Sequence, residues 1–226
     1  AVAFDLTAAC SGFLFALITA SQFLKGGNFK RALVIGADQL SSFVDWNDRR
    51  SCILFGDGAG ALAIEATNEF DNFIGFDMRT DGERGCFLNL PSKNTKDLII
   101  DNIDFVSGGF SSIQMNGQEV YKFAVREVPI ILKKLFRKTN YSSDQVDWLV
   151  LHQANQRILD SVGDRLKIPK EKILSNLEKY GNTSAATIPL VMDEAIRKNR
   201  IKQNDIIATS GFGAGLSWGA ALIKWG

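Results

Sequence analysis

The strongest constraint on this chain is a pattern that occurs twice. "CILFGDGAGALAIEA" (52–66) and "ATSGFGAGLSWGAALIKW" (208–225) each read as a strand, a glycine-rich turn and a second strand. Each also follows a helix and a buried strand in the same order. A chain that repeats such a unit is expected to fold as two similar α/β halves. At 226 residues there is room for one large domain or two modest ones, and the first half is the shorter.

The other elements follow from periodicity and punctuation. Residues 2–6 read as a short strand and 11–25 as an apolar helix ended by Gly26-Gly27. "RALVIGAD" (31–38) is continuously apolar, as in a strand buried on both faces. Residues 67–112 are polar and rich in Asn, Asp and Gly, which predicts a loop region with short strands. A long helix is expected over 117–138, bent at Pro129. "VDWLVLHQAN" (146–155) is a strand running into a helix that ends near Leu166. "GNTSAATIPLVMDEAIRK" (181–198) is a helix for which Thr183 or Ser184 is a plausible cap. "GDGAG" (56–60) resembles part of a dinucleotide fingerprint, but that site needs a helix after the glycines and here a strand follows. A tight turn is the better reading.

Composition narrows the function. A hydrophobic fraction of 46% with 23% charged residues suits a globular core, and a net charge of +1 gives no global case for nucleic acid. Local basic clusters stay open. Cys10, Cys52 and Cys86 are odd in number and widely spaced, with no CxxC or Cys/His pair at metal spacing. No disulfide framework and no metal site is therefore expected, and the compartment reads as reducing. No basic segment precedes an apolar one at the start, so no signal peptide is expected. The apolar run 8–24 carries Cys10, Ser11, Thr19, Ser21 and Gln22 and reads as a buried helix rather than a membrane span.

Three residues carry candidate chemistry. Cys10 sits in "DLTAACSGF", where an extended segment gives way to a helix. Taken alone it is a small buried hydrophobe. A helix N-terminus, however, favours a thiolate, and Ala8, Ala9, Ser11 and Gly12 leave room for a substrate. Both readings stand on position. His152, the one histidine, follows a buried strand directly. It is either a satisfied structural residue or, at the carboxyl end of a strand, part of an active site. Asn182 lies in a turn before a helix, where, taken alone, plain turn and capping chemistry is the better reading.

Together the motifs resemble a family. "DLTAACSGF", "LHQANQRI", "GNTSAA" and "GFGAGLSWG", with "NDRRSCILFGDGAGA" between the first two, are similar in order and spacing to β-ketoacyl-acyl carrier protein synthase III, over essentially the whole chain. The resemblance implies a thiolase-like fold, two α/β halves in αβαβα layers, with the first half incomplete. Residues 1–112 would be the remainder of the first half and 113–226 the second. Family members carry a further stretch before the cysteine motif, so the chain looks like a fragment, with part of the family's dimer surface in the missing stretch.

The same resemblance implies a decarboxylative condensation that starts fatty acid synthesis. Cys10 would take the acyl group from an acyl-CoA primer, acetyl-CoA by expectation. His152 and Asn182 would then hold the thioester oxygen of malonyl-acyl carrier protein as carbon dioxide leaves. The backbone N–H groups of Cys10 and Ala214 would form an oxyanion hole. Arg49, Gly117, Asn155 and Arg157 match coenzyme A contacts, and Phe55 and Ile113 match the acyl pocket. Ile113, branched and bulky, argues for a short primer. Gln153, Ala154, Asn155, Gln156 and Arg157, with Lys122 and Arg165, match the carrier-protein surface, from which the acidic Asp164 departs. Coenzyme A thioester is a substrate and no cofactor is implied; a homodimer in the cytoplasm, or in a plastid stroma, is. Elongating synthases need a second histidine and thiolases a second cysteine near 212–214, where this chain has Phe212-Gly213-Ala214. A secondary-metabolism ketosynthase with another primer, a non-catalytic partner subunit and a thioester hydrolase remain as alternatives.

Overall fold

The computed structural model describes residues 1–67, 71–100 and 103–226. The first helix, α1 (Gly12–Lys25), forms where Phe13, Leu14, Leu17, Ile18 and Leu24 recur on one stripe, all of them buried. Gly26 ends it, and Gly27 takes the left-handed conformation (φ 77°) that glycine adopts without strain. Strands β1 (Arg31–Gln39) and β2 (Asp57–Glu65) pair antiparallel as a two-stranded sheet. Then come β3 (Phe73–Thr80), β4 (Leu88–Asn89), β5 (Ser92–Ile100), β6 (Ile103–Phe110) and β7 (Gln114–Met115). Helix α2 (Gly117–Thr139), β8 (Trp148–Leu151), α3 (Gln156–Leu166), the single turn α4 (Leu177–Tyr180), α5 (Thr187–Arg197), β9 (Ile206–Gly213) and β10 (Ser217–Lys224) complete the chain.

The main sheet has the order β3-β10-β9-β8, parallel between β8 and β9 and antiparallel elsewhere. Strand alternation sends Leu149, Leu151, Ala208 and Leu222 to one face, where α2 and α3 pack. Val150, Ile207 and Ala221 go to the other face, against α1 and α5. On the far side of α1 and α5 lies the β1–β2 sheet, which contributes Val34 to the same cluster. The described residues thus build four layers, helix, sheet, helix, sheet, of the five expected. The outer face of the β1–β2 sheet is uncovered: Leu33 and Ile35 are 64% and 58% exposed.

Several expectations change. "RALVIGAD" is not buried on both faces, because among the described residues only one side of its sheet meets helices. Residues 2–6 form no strand, since no described strand pairs with them. "GDGAG" is no turn: its glycines lie at and inside the start of β2. A Cβ on Gly60 would stand 2.9 Å from Pro189, and one on Gly58 3.0 Å from Leu190, so bare backbone lets α5 lie flat on the strand. The repeat is not seen as expected, since 52–66 holds the one strand β2; the likeness is instead between the antiparallel pairs β1–β2 and β9–β10, of which only the second is joined by a tight turn. Within the 67–112 region, residues 68–70 and 101–102 lie outside the described residues; around them stand strands rather than mainly loop. One of these, β3, precedes the divide expected at 112/113 yet pairs with β10. Pro129 sits buried within α2, and left-handed Asn140 (φ 57°) caps that helix. Among the described residues no helix is long and apolar enough to cross a membrane.

Candidate active site

Cys10 lies in a single 3-10 turn, Ala9–Ser11, that leads directly into α1. Ala9 is held at φ 46°, a conformation that L-residues rarely take, so surrounding contacts must fix this corner. Two do. The Ser11 hydroxyl donates to the Ser217 carbonyl at 2.8 Å, tying the corner to β10. Gly213 of β9 passes so close that a Cβ there would stand 2.8 Å from the Cys10 nitrogen. Cys10 is only 7% exposed, and burial pushes its thiol up to about 11, opposed by a 3.3 Å hydrogen bond from the Ser184 hydroxyl to Sγ.

His152 comes straight off β8, where its N–H donates to the Ser210 carbonyl of β9 at 2.8 Å. The ring is fully enclosed, edge-on to Phe212 at 5.2 Å between centroids, with Nδ1 2.8 Å from the Thr187 hydroxyl oxygen. Burial lowers its pKa to about 3, so the imidazole is neutral across the physiological range. Asn182 is pinned by its own backbone: its N–H donates to the Leu54 carbonyl and its carbonyl accepts from Gly56 N–H, each at 2.9 Å. Its Oδ1 accepts from Ser184 N–H at 2.9 Å, which leaves the amide NH₂ as the group still free to donate.

These three side chains, from the α1 start, the β8 end and the turn before α5, line one cavity of about 110 Å³. The rest of its wall is mainly apolar, including Leu54, Phe55, Leu88, Met115 and Phe212. Of the positions expected to hold coenzyme A or an acyl chain, Phe55, Gly117 and Asn155 line this cavity. Asn155 also caps α3 through Oδ1, accepting from Ile158 N–H at 3.0 Å. Arg157 is exposed and stacks over Tyr121, a cavity residue, at 5.2 Å. Ile113 does not line the cavity; Met115 and Leu88, paired across β4 and β7, do. Arg49 is exposed in the loop before β2, away from the lining, and Ala214 lies in the β9–β10 turn beside Gly213.

Around the carrier-protein positions the structure is selective. Ala154 lines the cavity, while Gln156, Arg157 and Arg165 are exposed on α3. Lys122 is exposed on the adjacent α2, ion-paired with Glu119 at 2.6 Å. Gln153 is different: it is fully buried, donating to the carbonyls of Leu151 and Leu174 and accepting from Asn176 N–H. With every side-chain group spent inside, it has no surface to offer a partner. Ser184 does not cap α5, which begins at Thr187; Ser184 and Thr187 are site residues that sequence reasoning assigned to capping or passed over.

A buried cysteine at a helix start, facing a neutral histidine and a pinned asparagine in a layered α/β fold, defines a thiolase-fold acyltransferase that condenses acyl units. Family models agree: "3-Oxoacyl-[acyl-carrier-protein (ACP)] synthase III" matches residues 4–82 and its C-terminal counterpart residues 136–225. The chain belongs to the β-ketoacyl-acyl carrier protein synthase III family. It is 93% identical over its full length to the beta-ketoacyl-[acyl-carrier-protein] synthase III of Prochlorococcus marinus (strain MIT 9312), 68% of which it covers. Among solved structures, the 3-oxoacyl-[acyl-carrier-protein] synthase III of Aquifex aeolicus VF5 superposes with a TM-score of 0.87 at 39% identity, covering 98% of this chain and 67% of that one. The Pseudomonas aeruginosa PAO1 enzyme gives 0.87 at 32% identity, covering 100% and 67%. The chain thus spans about two thirds of the length of these relatives.

Proposed function

We propose that this chain carries the catalytic centre for condensing an acyl-CoA primer with malonyl-acyl carrier protein to give 3-oxoacyl-acyl carrier protein. The observation that supports this best is the convergence of Cys10, His152 and Asn182 on one largely apolar cavity. Cys10 Sγ attacks the primer's thioester carbon. The bond to the coenzyme A sulfur breaks, and coenzyme A leaves as a thiol with the proton that Cys10 gave up.

Malonyl-acyl carrier protein then enters. Its carboxylate carbon leaves as carbon dioxide, and the bonding pair stays behind as an enolate. A neutral His152 with its proton on Nε2 and the Asn182 NH₂ both donate to the enolate oxygen, in a pocket dry enough to make each donor count. The enolate carbon attacks the acyl-enzyme carbonyl, whose oxyanion is met by the N–H groups of Cys10 and Ala214. Collapse releases the product and returns Cys10.

The small apolar cavity favours a short primer, acetyl-CoA first, with Phe55 against the acyl chain. Gly117, Asn155 and Arg157 at the cavity serve the coenzyme A arm, and the exposed Arg49 of the loop before β2 is assigned to its phosphates by the family resemblance alone. Lys122, Arg157 and Arg165, with Ala154, Asn155 and Gln156, offer the acidic carrier protein a cationic face on α2 and α3. The reading also carries a cytoplasmic homodimer. It is tested by supplying acetyl-CoA and malonyl-acyl carrier protein and following carbon dioxide and the acyl adduct. An adduct on Cys10 with carbon dioxide and 3-oxoacyl product supports it; an adduct on Cys52 or Cys86, or hydrolysis without condensation, overturns it.

A further inference from the structure

We propose that the Ser184 hydroxyl is a catalytic hydrogen-bond donor to the Cys10 sulfur, holding Sγ in place and stabilising its thiolate. Resting on the reading of Cys10 as the nucleophile, this adds a residue to that site. Ser184 Oγ stands 3.3 Å from Cys10 Sγ, across 174 residues of chain, and Ser184 is 3% exposed.

The geometry is held from several sides. Ser184 lies in the left-handed region at φ 53°, where a residue with a Cβ is strained. Asn182 Oδ1 takes its N–H at 2.9 Å, Thr187 Oγ1 donates to its carbonyl at 2.9 Å, and Asp38 Oδ2 takes the next N–H, that of Ala185, at 3.0 Å. With its N–H engaged and its carbonyl facing the Thr187 hydroxyl, the Ser184 hydroxyl is the polar group left to meet the sulfur, and α5 starts without a side-chain cap from it. Strain of this kind persists where neighbours over-determine it.

A hydroxyl donates more strongly to a charged sulfur than to a thiol, so the contact favours the thiolate. It works against burial and the negative charge of Asp38, both of which oppose ionisation of Cys10. His152 and Tyr121 are the other titratable groups facing the same cavity. When the acyl group arrives, the proton shed by Cys10 leaves with coenzyme A. The thioester sulfur that replaces the thiolate is a weak acceptor, so the contact is strongest in the state that attacks.

The test is the pH profile of Cys10 alkylation by iodoacetamide, read by peptide mass, in the parent, Ser184→Ala and Ser184→Gly. Glycine suits the positive φ, so it removes the hydroxyl without adding strain. The expected result in both variants is a rise displaced to higher pH, with alkylation at pH 8 slowed by about tenfold or more and an unchanged plateau at high pH. A rise that coincides with the parent's, or a lowered plateau with an unmoved rise, overturns the proposal. Alkylation uses neither acyl-CoA nor malonate, so failure of the condensation assay is a separate result.

Discussion

The Thr187 hydroxyl lies 2.8 Å from His152 Nδ1 and 2.9 Å from the Ser184 carbonyl, so one proton has two acceptors within reach. When that proton points to Ser184, the Thr187 oxygen accepts from Nδ1–H and Nε2 is bare. When it turns to Nδ1, the imidazole carries its proton on Nε2 and becomes the donor that an enolate oxygen requires. Thr187 is thereby the partner through which the tautomer of a histidine that burial keeps neutral can switch.

Thr187→Val keeps the shape and removes both arrangements. Condensation should fall at least about tenfold, in keeping with the roughly 1–3 kcal/mol lost when a buried polar group is left unpaired. Acylation of Cys10 should fall much less, and Thr187→Ser should restore the rate. Single-turnover acylation beside carbon dioxide release from malonyl-acyl carrier protein measures the split. Equal losses in both steps would show that Thr187 only supports the fold.

Gln153 gives a contrasting expectation. Its amide fastens the end of β8 to the segment at Leu174 and Asn176. Gln153→Leu leaves the Leu151 and Leu174 carbonyls and the Asn176 N–H short of partners, at a cost of about 2–4 kcal/mol. Denaturant unfolding should record that loss. The KM for carrier protein should hold in whatever fraction stays folded; a selective rise in KM would instead return Gln153 to the docking surface.

Stability should depend on pH in two limbs. His152 has an unperturbed value of 6.5 and is lowered to about 3, so between those values the unfolded chain binds a proton that the folded chain refuses. Stability is therefore lost as pH falls through that window. Cys10 has an ordinary value of 9.0 and is raised to about 11, so between those values the unfolded chain gives up a proton that the folded chain keeps. Stability is lost there as pH rises. Each limb changes by up to about 1.4 kcal/mol per pH unit from its own group. Unfolding free energies from pH 3 to 11 should show the plateau between, with His152→Gln flattening the acid limb and Cys10→Ser the alkaline one.

What the sequence revealed is what local pattern controls. The apolar stripe of α1, the strand-to-helix step at His152 and the hairpin around Ala214-Gly215 are written in periodicity and glycine placement. Four separated motifs singled out Cys10, His152 and Asn182, which the fold brings to one cavity. Contacts between distant segments were not legible. Nothing local shows that Gly58 and Gly60 lie under α5, since a glycine-rich run reads the same in a turn and in a crowded strand. Ser184 looked like a helix cap because its sequence context is that of one, while its hydroxyl is used 174 residues away. The open face of β1 escaped notice because an apolar run does not say how many sides are covered.

Gly213 supplies the remaining prediction. Its backbone runs against the Cys10 corner, with an added Cβ 2.8 Å from the Cys10 nitrogen, 2.9 Å from its Cβ and 3.2 Å from its Cα. None of these atoms is the movable end of a flexible side chain. They belong to a corner already strained at Ala9 and tied at Ser11, so Gly213→Ala must shift Cys10, β9 or both. Overpacking of this sort costs about 1–3 kcal/mol. The displacement also falls on the Cys10 sulfur, the proposed nucleophile, and on the N–H groups beside it, so acylation should slow by more than the loss of folded protein explains. Comparing burst amplitude, which counts competent sites, with the burst rate separates the two effects. A normal rate at reduced amplitude would mean that the corner tolerates the methyl group whenever the chain is folded, and that Gly213 serves stability alone.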